Sequence, residues 1–216
     1  MVISELLGSR VRVYLLVIGR IVARIGLTAN TWTVIGLLLN IGVAVVIAAN
    51  QPRWGGGLLL VASAFDMVDG AVARATGSVS RFGGFLDSTL DRYSEAIVYG
   101  GVLIYLLRAD DADLGIVLVF VATVGALLIS YARARAEAAG FTAAVGLVAR
   151  PERVILLAIA LLAGHLLWAL WILAIATHLT AVTRILHVRR LAGQGAPPPR
   201  SGSAPPAPAS SAADRP

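Results

Sequence analysis

Four aspartates stand at regular spacing in two apolar stretches of the sequence. Asp66 and Asp69 are three residues apart, and Asp87 and Asp91 are four residues apart. Residues at these spacings lie on one face of a helix, so each pair presents two carboxylates in one direction. Charged groups inside apolar segments are costly and therefore mark functional positions in membrane proteins. The spacing predicts that the four carboxylates converge in one acidic cluster.

Divalent cations are the natural partners of such a cluster. Four uncompensated carboxylates in one pocket would repel one another, and one or more of them would be protonated. Carboxylate oxygens are hard ligands that suit magnesium, manganese or calcium. Two metal ions about 3.5–4 Å apart can clamp a phosphoryl group during its transfer. The alternative is a metal-ion or proton transporter that uses the carboxylates as its pathway.

Small and basic residues accompany the carboxylates. Gly70 follows Asp69 directly and Gly83 precedes Asp87 by one turn, which removes side chains where a ligand or a facing helix must come close. Arg74 lies past the first pair, where it can contact a phosphate or anchor the helix end. The polar residues 76–81 between the two stretches predict that their helices are antiparallel neighbours.

The elements that position these residues are those of a membrane protein. Of the 216 residues, 58% are apolar and 14% are charged, whereas about 25% of residues in a soluble domain are charged. A transmembrane helix takes about 20 residues, so the chain has room for six spans but not for a separate soluble domain. The count of zero cysteines excludes disulfides, thiolate zinc sites and cysteine nucleophiles.

The pattern predicts an all-α integral membrane protein with six transmembrane helices. Residues 1–27 mix apolar and arginine positions, which favours an amphipathic helix in the membrane interface over a signal peptide. Residues 28–190 are predicted to form the six-helix domain, and the Pro-, Ala- and Ser-rich residues 191–216 a disordered cytoplasmic tail. The spans are predicted at residues 31–49, 54–75, 82–107, 114–136, 151–163 and 167–188.

The distribution of arginine predicts the orientation. All 18 basic residues are arginine, and positive residues concentrate on the cytoplasmic side of membrane proteins. With both termini inside, only Arg53 and Arg108 lie at the outer ends of the spans. This predicts a multi-pass protein of the cell membrane whose site opens to the cytoplasm. The cytoplasmic ends then hold Arg10, Arg12, Arg20, Arg24, Arg74, Arg81, Arg133, Arg135, Arg150, Arg153, Arg184, Arg189 and Arg190.

The pattern over residues 66–91 resembles the signature of the CDP-alcohol phosphatidyltransferases. The matching positions are Asp66, Asp69, Gly70, Ala73, Arg74, Gly83, Asp87 and Asp91. The resemblance implies a homodimer in which two Mg²⁺ or Mn²⁺ ions are bound by Asp66, Asp69 and Asp87. It implies that Asp91 ligates or lies beside these ions and is the general base for the acceptor hydroxyl. The implied contacts to CDP-diacylglycerol are Thr31, Trp32, Thr33, Val34, Gly70, Arg74 and Ser80.

A group of arginines at the cytoplasmic mouth indicates a phosphorylated acceptor, because guanidinium groups bind phosphate in bidentate fashion. The alternative for each of them is membrane orientation or headgroup contact. The stretches SYARARAEAAG and RPER resemble the phosphatidylinositol phosphate synthases of actinobacteria, which implies 1D-myo-inositol 3-phosphate as the acceptor and CMP as the leaving group. Glycerol 3-phosphate, the substrate of a phosphatidylglycerophosphate synthase, is the alternative acceptor. The candidate acceptor-phosphate residues are Arg133, Arg135, Arg150, Arg153 and Arg184.

Overall fold

The fold is helical throughout the part of the chain that the structure describes. A computed structural model describes residues 26–76, 80–109 and 112–194, with the backbone alone at 67–71 and 73–76. Each helix covers one of the predicted apolar segments, so the all-α fold class is confirmed. The predicted interfacial helix and tail lie almost entirely outside the described residues. The helices are α1 Ala29–Ala48, α2 Pro52–Thr76, α3 Arg81–Leu106, α4 Asp113–Ala138, α5 Arg150–Ala163 and α6 Leu166–Gly193.

Within these described ranges, three helices, α1, α4 and α6, are long and apolar enough to cross a membrane. Large apolar side chains on their outer faces are exposed, among them Val45, Phe120 and Ile175. A surface of this kind indicates contact with lipid or another apolar partner. Helices α2 and α3 carry the charges of the acidic cluster. Helix α5 has 14 residues, which is shorter than a straight span of the bilayer core requires.

The closely packed helix pairs among the described residues form a closed ring in the order α1, α2, α5, α6, α4, α3. Glycines bring the backbones together: a Cβ on Gly101 of α3 would lie 2.5 Å from the carbonyl oxygen of Ala44, and one on Gly56 of α2 would lie 2.7 Å from that of Ala158. Over this described part, α1 packs closely against both α2 and α3, whereas α2 and α3 are not among the closely packed pairs. The prediction that α2 and α3 are antiparallel neighbours stays a prediction. Gly101 therefore allows the close approach of α1 to α3, and Gly56 that of α2 to α5.

The beginnings of α1, α3 and α5 share one end of the bundle, called the site end here, and polar groups cap them. The Thr28 hydroxyl accepts a hydrogen bond from the Thr31 backbone N–H at 3.3 Å, and the Ser80 hydroxyl accepts one from the Gly83 N–H at 2.9 Å. In α5 the Glu152 carboxylate accepts from the Ala149 N–H at 3.0 Å. Such caps satisfy backbone donors that have no partner within the helix.

Candidate active site

Carboxylates from α2 and α3 converge on Arg150, the first residue of α5. Arg150 Nη2 lies 2.8 Å from Oδ2 of Asp66, and Arg150 Nη1 lies 2.7 Å from Oδ1 of Asp91. Asp87 lies one turn before Asp91 on α3, and Asp91 is within electrostatic reach of both Asp87 and Asp66. The structure therefore gathers three of the four signature carboxylates at the site end of the bundle.

The remaining signature residues of α2 are located by their backbone only. Asp69, Gly70 and Arg74 continue α2 from Asp66 towards its end at Thr76. Their side chains lie outside the described residues. The roles predicted for them therefore stay predictions.

Helix α1 forms one wall of the cluster. A Cβ on Gly36 would lie 2.8 Å from Oδ1 of Asp66, so only glycine leaves room for this carboxylate. One turn later the buried Asn40 donates from Nδ2 to the Gly36 carbonyl oxygen at 2.9 Å. The sequence alone does not indicate a role for Gly36, because a glycine in an apolar helix carries no signal of what faces it.

The predicted CDP-binding positions lie at the start of α1 and α3, and these two helix ends meet. A Cβ on Gly83 would lie 3.0 Å from Oγ of Ser80 and 3.2 Å from Oδ1 of Asn30. The Trp32 ring packs against Phe65, the residue before Asp66, with ring centroids 5.4 Å apart. The buried indole Nε1 of Trp32 has no hydrogen-bond partner among the described residues. The structure thus brings Ser80 and the Trp32 segment to the same end as the carboxylates.

The positions next to Trp32 on α1 differ in what their side chains contact. The Thr31 and Thr28 hydroxyl oxygens are 2.9 Å apart, and Thr33 donates to the Ala29 carbonyl oxygen at 3.1 Å. Val34 is exposed. Polar and apolar surfaces are therefore both available at the start of α1.

One predicted acceptor residue, Arg153, is held in a buried ion pair. Its Nε lies 2.7 Å from Oε1 of Glu95 and its Nη2 lies 2.7 Å from Oε2. The two side chains are 2% and 10% exposed. Glu95 lies one turn after Asp91 on the same face of α3, but its spacing alone predicts no role for it. Its partner lies 58 residues away, and nothing in the local sequence identifies it.

Arg184 is also buried, and it lies within electrostatic reach of Arg153 and Arg133. It donates from Nε to the Val145 carbonyl oxygen at 2.9 Å and from Nη1 to the Ile129 carbonyl oxygen at 2.6 Å. These bonds use two of its three guanidinium nitrogens. Arg184 therefore ties α6 to α4 and to the loop that precedes α5.

The last two predicted acceptor residues are exposed on α4. Arg133 pairs with Glu137 at 2.7 Å, and Arg135 lines an apolar groove between α4 and α6 together with Tyr131 and His178. The five arginines thus have different surroundings. Arg150 contacts the aspartates, Arg184 lies within electrostatic reach of Arg133 and Arg153, and Arg184 lines the groove together with Arg135.

The donor set of the cluster fits a hard divalent cation. Asp66, Asp87 and Asp91 supply oxygen ligands only, as magnesium and manganese prefer. Asp66 and Asp91 each also lie within hydrogen-bond distance of the Arg150 guanidinium group. Among the described side chains, no three acidic or histidine groups are close enough together to enclose a metal. The side chain of Asp69, the fourth carboxylate, is not among the described side chains.

Comparison with known proteins identifies relatives over most of the chain. A family model described as CDP-alcohol phosphatidyltransferase matches residues 26–186. The archaetidylinositol phosphate synthase of Pyrococcus horikoshii is 38% identical over 175 residues, which cover 80% of this chain and 89% of that protein. The phosphatidylinositol phosphate synthase of Mycobacteroides abscessus is 35% identical over 178 residues, covering 79% of this chain and 81% of that protein.

Solved structures agree with the sequence relatives. The chain is similar to a crystal structure of Mycobacterium tuberculosis phosphatidylinositol phosphate synthase with CDP-DAG bound, with a TM-score of 0.75 and 31% identity over 81% of this chain and 92% of that one. A second structure of that enzyme, in complex with manganese and citrate, matches with a TM-score of 0.76 and 31% identity over 81% of this chain and 88% of that one.

Proposed function

Because this chain belongs to the CDP-alcohol phosphatidyltransferase family, we propose that it transfers the phosphatidyl group of CDP-diacylglycerol to 1D-myo-inositol 3-phosphate and releases CMP. The observation that carries the proposal is the convergence of Asp66, Asp87 and Asp91 at one end of the bundle. A cluster of this composition suits phosphoryl chemistry that depends on divalent cations. The predicted membrane enzyme is preferred to a transporter, because the family catalyses group transfer.

Two observations support inositol phosphate as the acceptor. The relatives named above come from archaea and bacteria and differ in the name of the lipid part, yet each is named for an inositol phosphate product. In this chain Arg184 lies within electrostatic reach of both Arg133 and Arg153. Guanidinium groups so arranged suit a phosphate, and the bonds described for Arg153 and Arg184 each leave one guanidinium nitrogen uninvolved. We therefore propose that these three residues bind the acceptor phosphate.

The proposed mechanism uses Asp91 as the general base. Asp91 takes the proton from the acceptor hydroxyl, whose oxygen forms a bond to the phosphorus that carries diacylglycerol. The bond from this phosphorus to the oxygen of CMP then breaks, and CMP leaves. Two Mg²⁺ or Mn²⁺ ions, when bound, neutralise charge on the diphosphate. Asp66, Asp69, Asp87 and Asp91 would hold these ions, and Arg150 fixes the orientation of the Asp66 and Asp91 carboxylates.

The CDP group is proposed to bind where α1 and α3 begin. The contact between Gly83, Ser80 and Asn30 brings these helix ends together, and the buried Trp32 Nε1 offers a donor there. Backbone N–H groups at helix beginnings favour phosphate. The proposed contacts remain Thr31, Trp32, Thr33, Val34, Gly70, Arg74 and Ser80.

The proposal is tested by supplying purified full-length protein in lipid nanodiscs with radiolabelled CDP-diacylglycerol, Mn²⁺ or Mg²⁺, and one acceptor at a time. We expect CMP release with inositol 3-phosphate, little with glycerol 3-phosphate or free inositol, and none after EDTA. EDTA already saturated with Mn²⁺ is the matched control. A preference for glycerol 3-phosphate would reassign the acceptor. Metal-driven ion flux in proteoliposomes without CMP release would favour the transporter instead.

We propose that all six helices cross the cell membrane and that the site end faces the cytoplasm. The apolar helices α1, α4 and α6 support spanning, and the arginines concentrate at the site end. The 216 residues contain no cysteine, so an introduced cysteine is the single thiol among them for a maleimide to label. We expect an impermeant maleimide to label Ala163→Cys in intact cells and Ala139→Cys only after permeabilisation. The reverse pattern would invert the orientation. The homodimer stays a prediction.

A further inference from the structure

Two charged contacts bridge α3 and α5, which are not adjacent in the ring of closely packed helices. Asp91 and Glu95 are four residues apart on α3, and Arg150 and Arg153 are three residues apart on α5, so each helix presents its two charges on one face. Asp91 pairs with Arg150 at 2.7 Å, and Glu95 pairs with Arg153 at 2.7 Å. These two pairs are called the two-rung bridge.

The two rungs differ in rigidity. In the Glu95–Arg153 rung both oxygens of the carboxylate accept from one guanidinium group, and the Arg153 side chain is 2% exposed. Bidentate geometry restricts both groups, and breaking a buried pair leaves an uncompensated charge. In the other rung the Arg150 side chain is 26% exposed. The buried Glu95–Arg153 pair is therefore the one that can fix α5 against α3.

The buried part of the Arg150 side chain has few hydrogen-bond partners among the described residues. Its buried Nε has no hydrogen-bond partner among the described residues. A cavity of about 20 Å³ lies beside it, lined in part by Asn40, Glu95, Tyr99 and Arg153, and this volume suits a single water molecule. The polar contacts described for Arg150 are those to Asp66 and Asp91. Its placement on the two carboxylates therefore depends on where the first turn of α5 is held.

We propose that Glu95 is a positioning residue for the carboxylate cluster. By holding Arg153, Glu95 fixes the first turn of α5, and this places Arg150 on Asp66 and Asp91. Arg150 in turn sets the orientation of those two carboxylates towards the metal ions. The inference rests on the proposed function for the identity of the metal-binding cluster. Glu95 itself is not among the residues proposed to bind the metals or the substrates.

A double-mutant cycle tests this chain of contacts. Mn²⁺ binding to full-length protein in nanodiscs is titrated by electron paramagnetic resonance for the wild type, Glu95→Gln, Arg150→Met and the double variant. We expect Glu95→Gln to raise the Mn²⁺ dissociation constant by about tenfold, as changes behind metal ligands do. Arg150→Met should raise it as well. In the Arg150→Met background, Glu95→Gln should add no further shift, because its route to the carboxylates is already lost.

A second variant separates positioning from stability. Apolar replacement of a buried ion pair is often neutral for stability, so Glu95→Met/Arg153→Met should fold and still shift Mn²⁺ binding as Glu95→Gln does. Asp113→Asn, an exposed change at the opposite end of the bundle, is the control. Lower melting temperature with unchanged Mn²⁺ binding, or shifts that add in the double variant, would overturn the proposal. A wild type that binds Mn²⁺ but transfers no phosphatidyl group would refute the proposed function alone.

Discussion

Asp91→Asn is expected to lower kcat for CMP release by about 10³–10⁴-fold, the upper part of the range for removing a general base. Asparagine keeps the size of the side chain and can still accept a hydrogen bond from Arg150, which lies 2.7 Å from Oδ1 of Asp91. It cannot take a proton from the acceptor hydroxyl. Binding of CDP-diacylglycerol should be largely retained, because the proposed CDP contacts lie on α1, α2 and at the start of α3.

The measurement combines initial rates of CMP release with equilibrium binding of CDP-diacylglycerol. Asp113→Asn is the matched control, since it makes the same chemical change at an exposed position at the opposite end of the bundle. Its rate should equal that of the wild type. If Asp91→Asn keeps a kcat within tenfold of the wild type, another group takes the proton and the assignment of Asp91 is wrong.

Gly36→Ala is expected to lower activity by about 10²-fold with little loss of stability. The new Cβ would lie 2.8 Å from Oδ1 of Asp66, which is too close for the carboxylate to keep its position. The atom that must move is the end of a side chain rather than backbone, so the helices can stay in place. A displacement of about 1 Å in a catalytic group is enough for a loss of this size.

Gly42→Ala provides a control on the same helix. A Cβ at Gly42 meets no atom within 4 Å, and alanine is the better helix former by about 1 kcal/mol. We expect Gly42→Ala to keep full activity and a melting temperature equal to or above that of the wild type. Activity of Gly36→Ala is compared with it, and melting temperatures of both are recorded. Equal activity of the two variants would show that Gly36 does not constrain Asp66.

The sequence determined the helices and the chemical character of the site. Long apolar segments must form helices in a membrane because their backbone groups have no water to bind, and this is why the predicted segments agree with α1 to α6. The aspartates stood out for the same reason, since a charge in an apolar segment is costly. Their spacing of three and four residues is a local property of one helix, so the chain alone carries it.

Only the tertiary structure decided which helices meet and what each charge contacts. The partner of Asp66 lies 84 residues away in Arg150, and that of Arg153 lies 58 residues away in Glu95. Gly36 matters because α1 packs closely against α2, which places this glycine beside Asp66. Such pairings depend on how helix surfaces fit together, and this fit is a property of several distant segments at once. No spacing within a single segment records it.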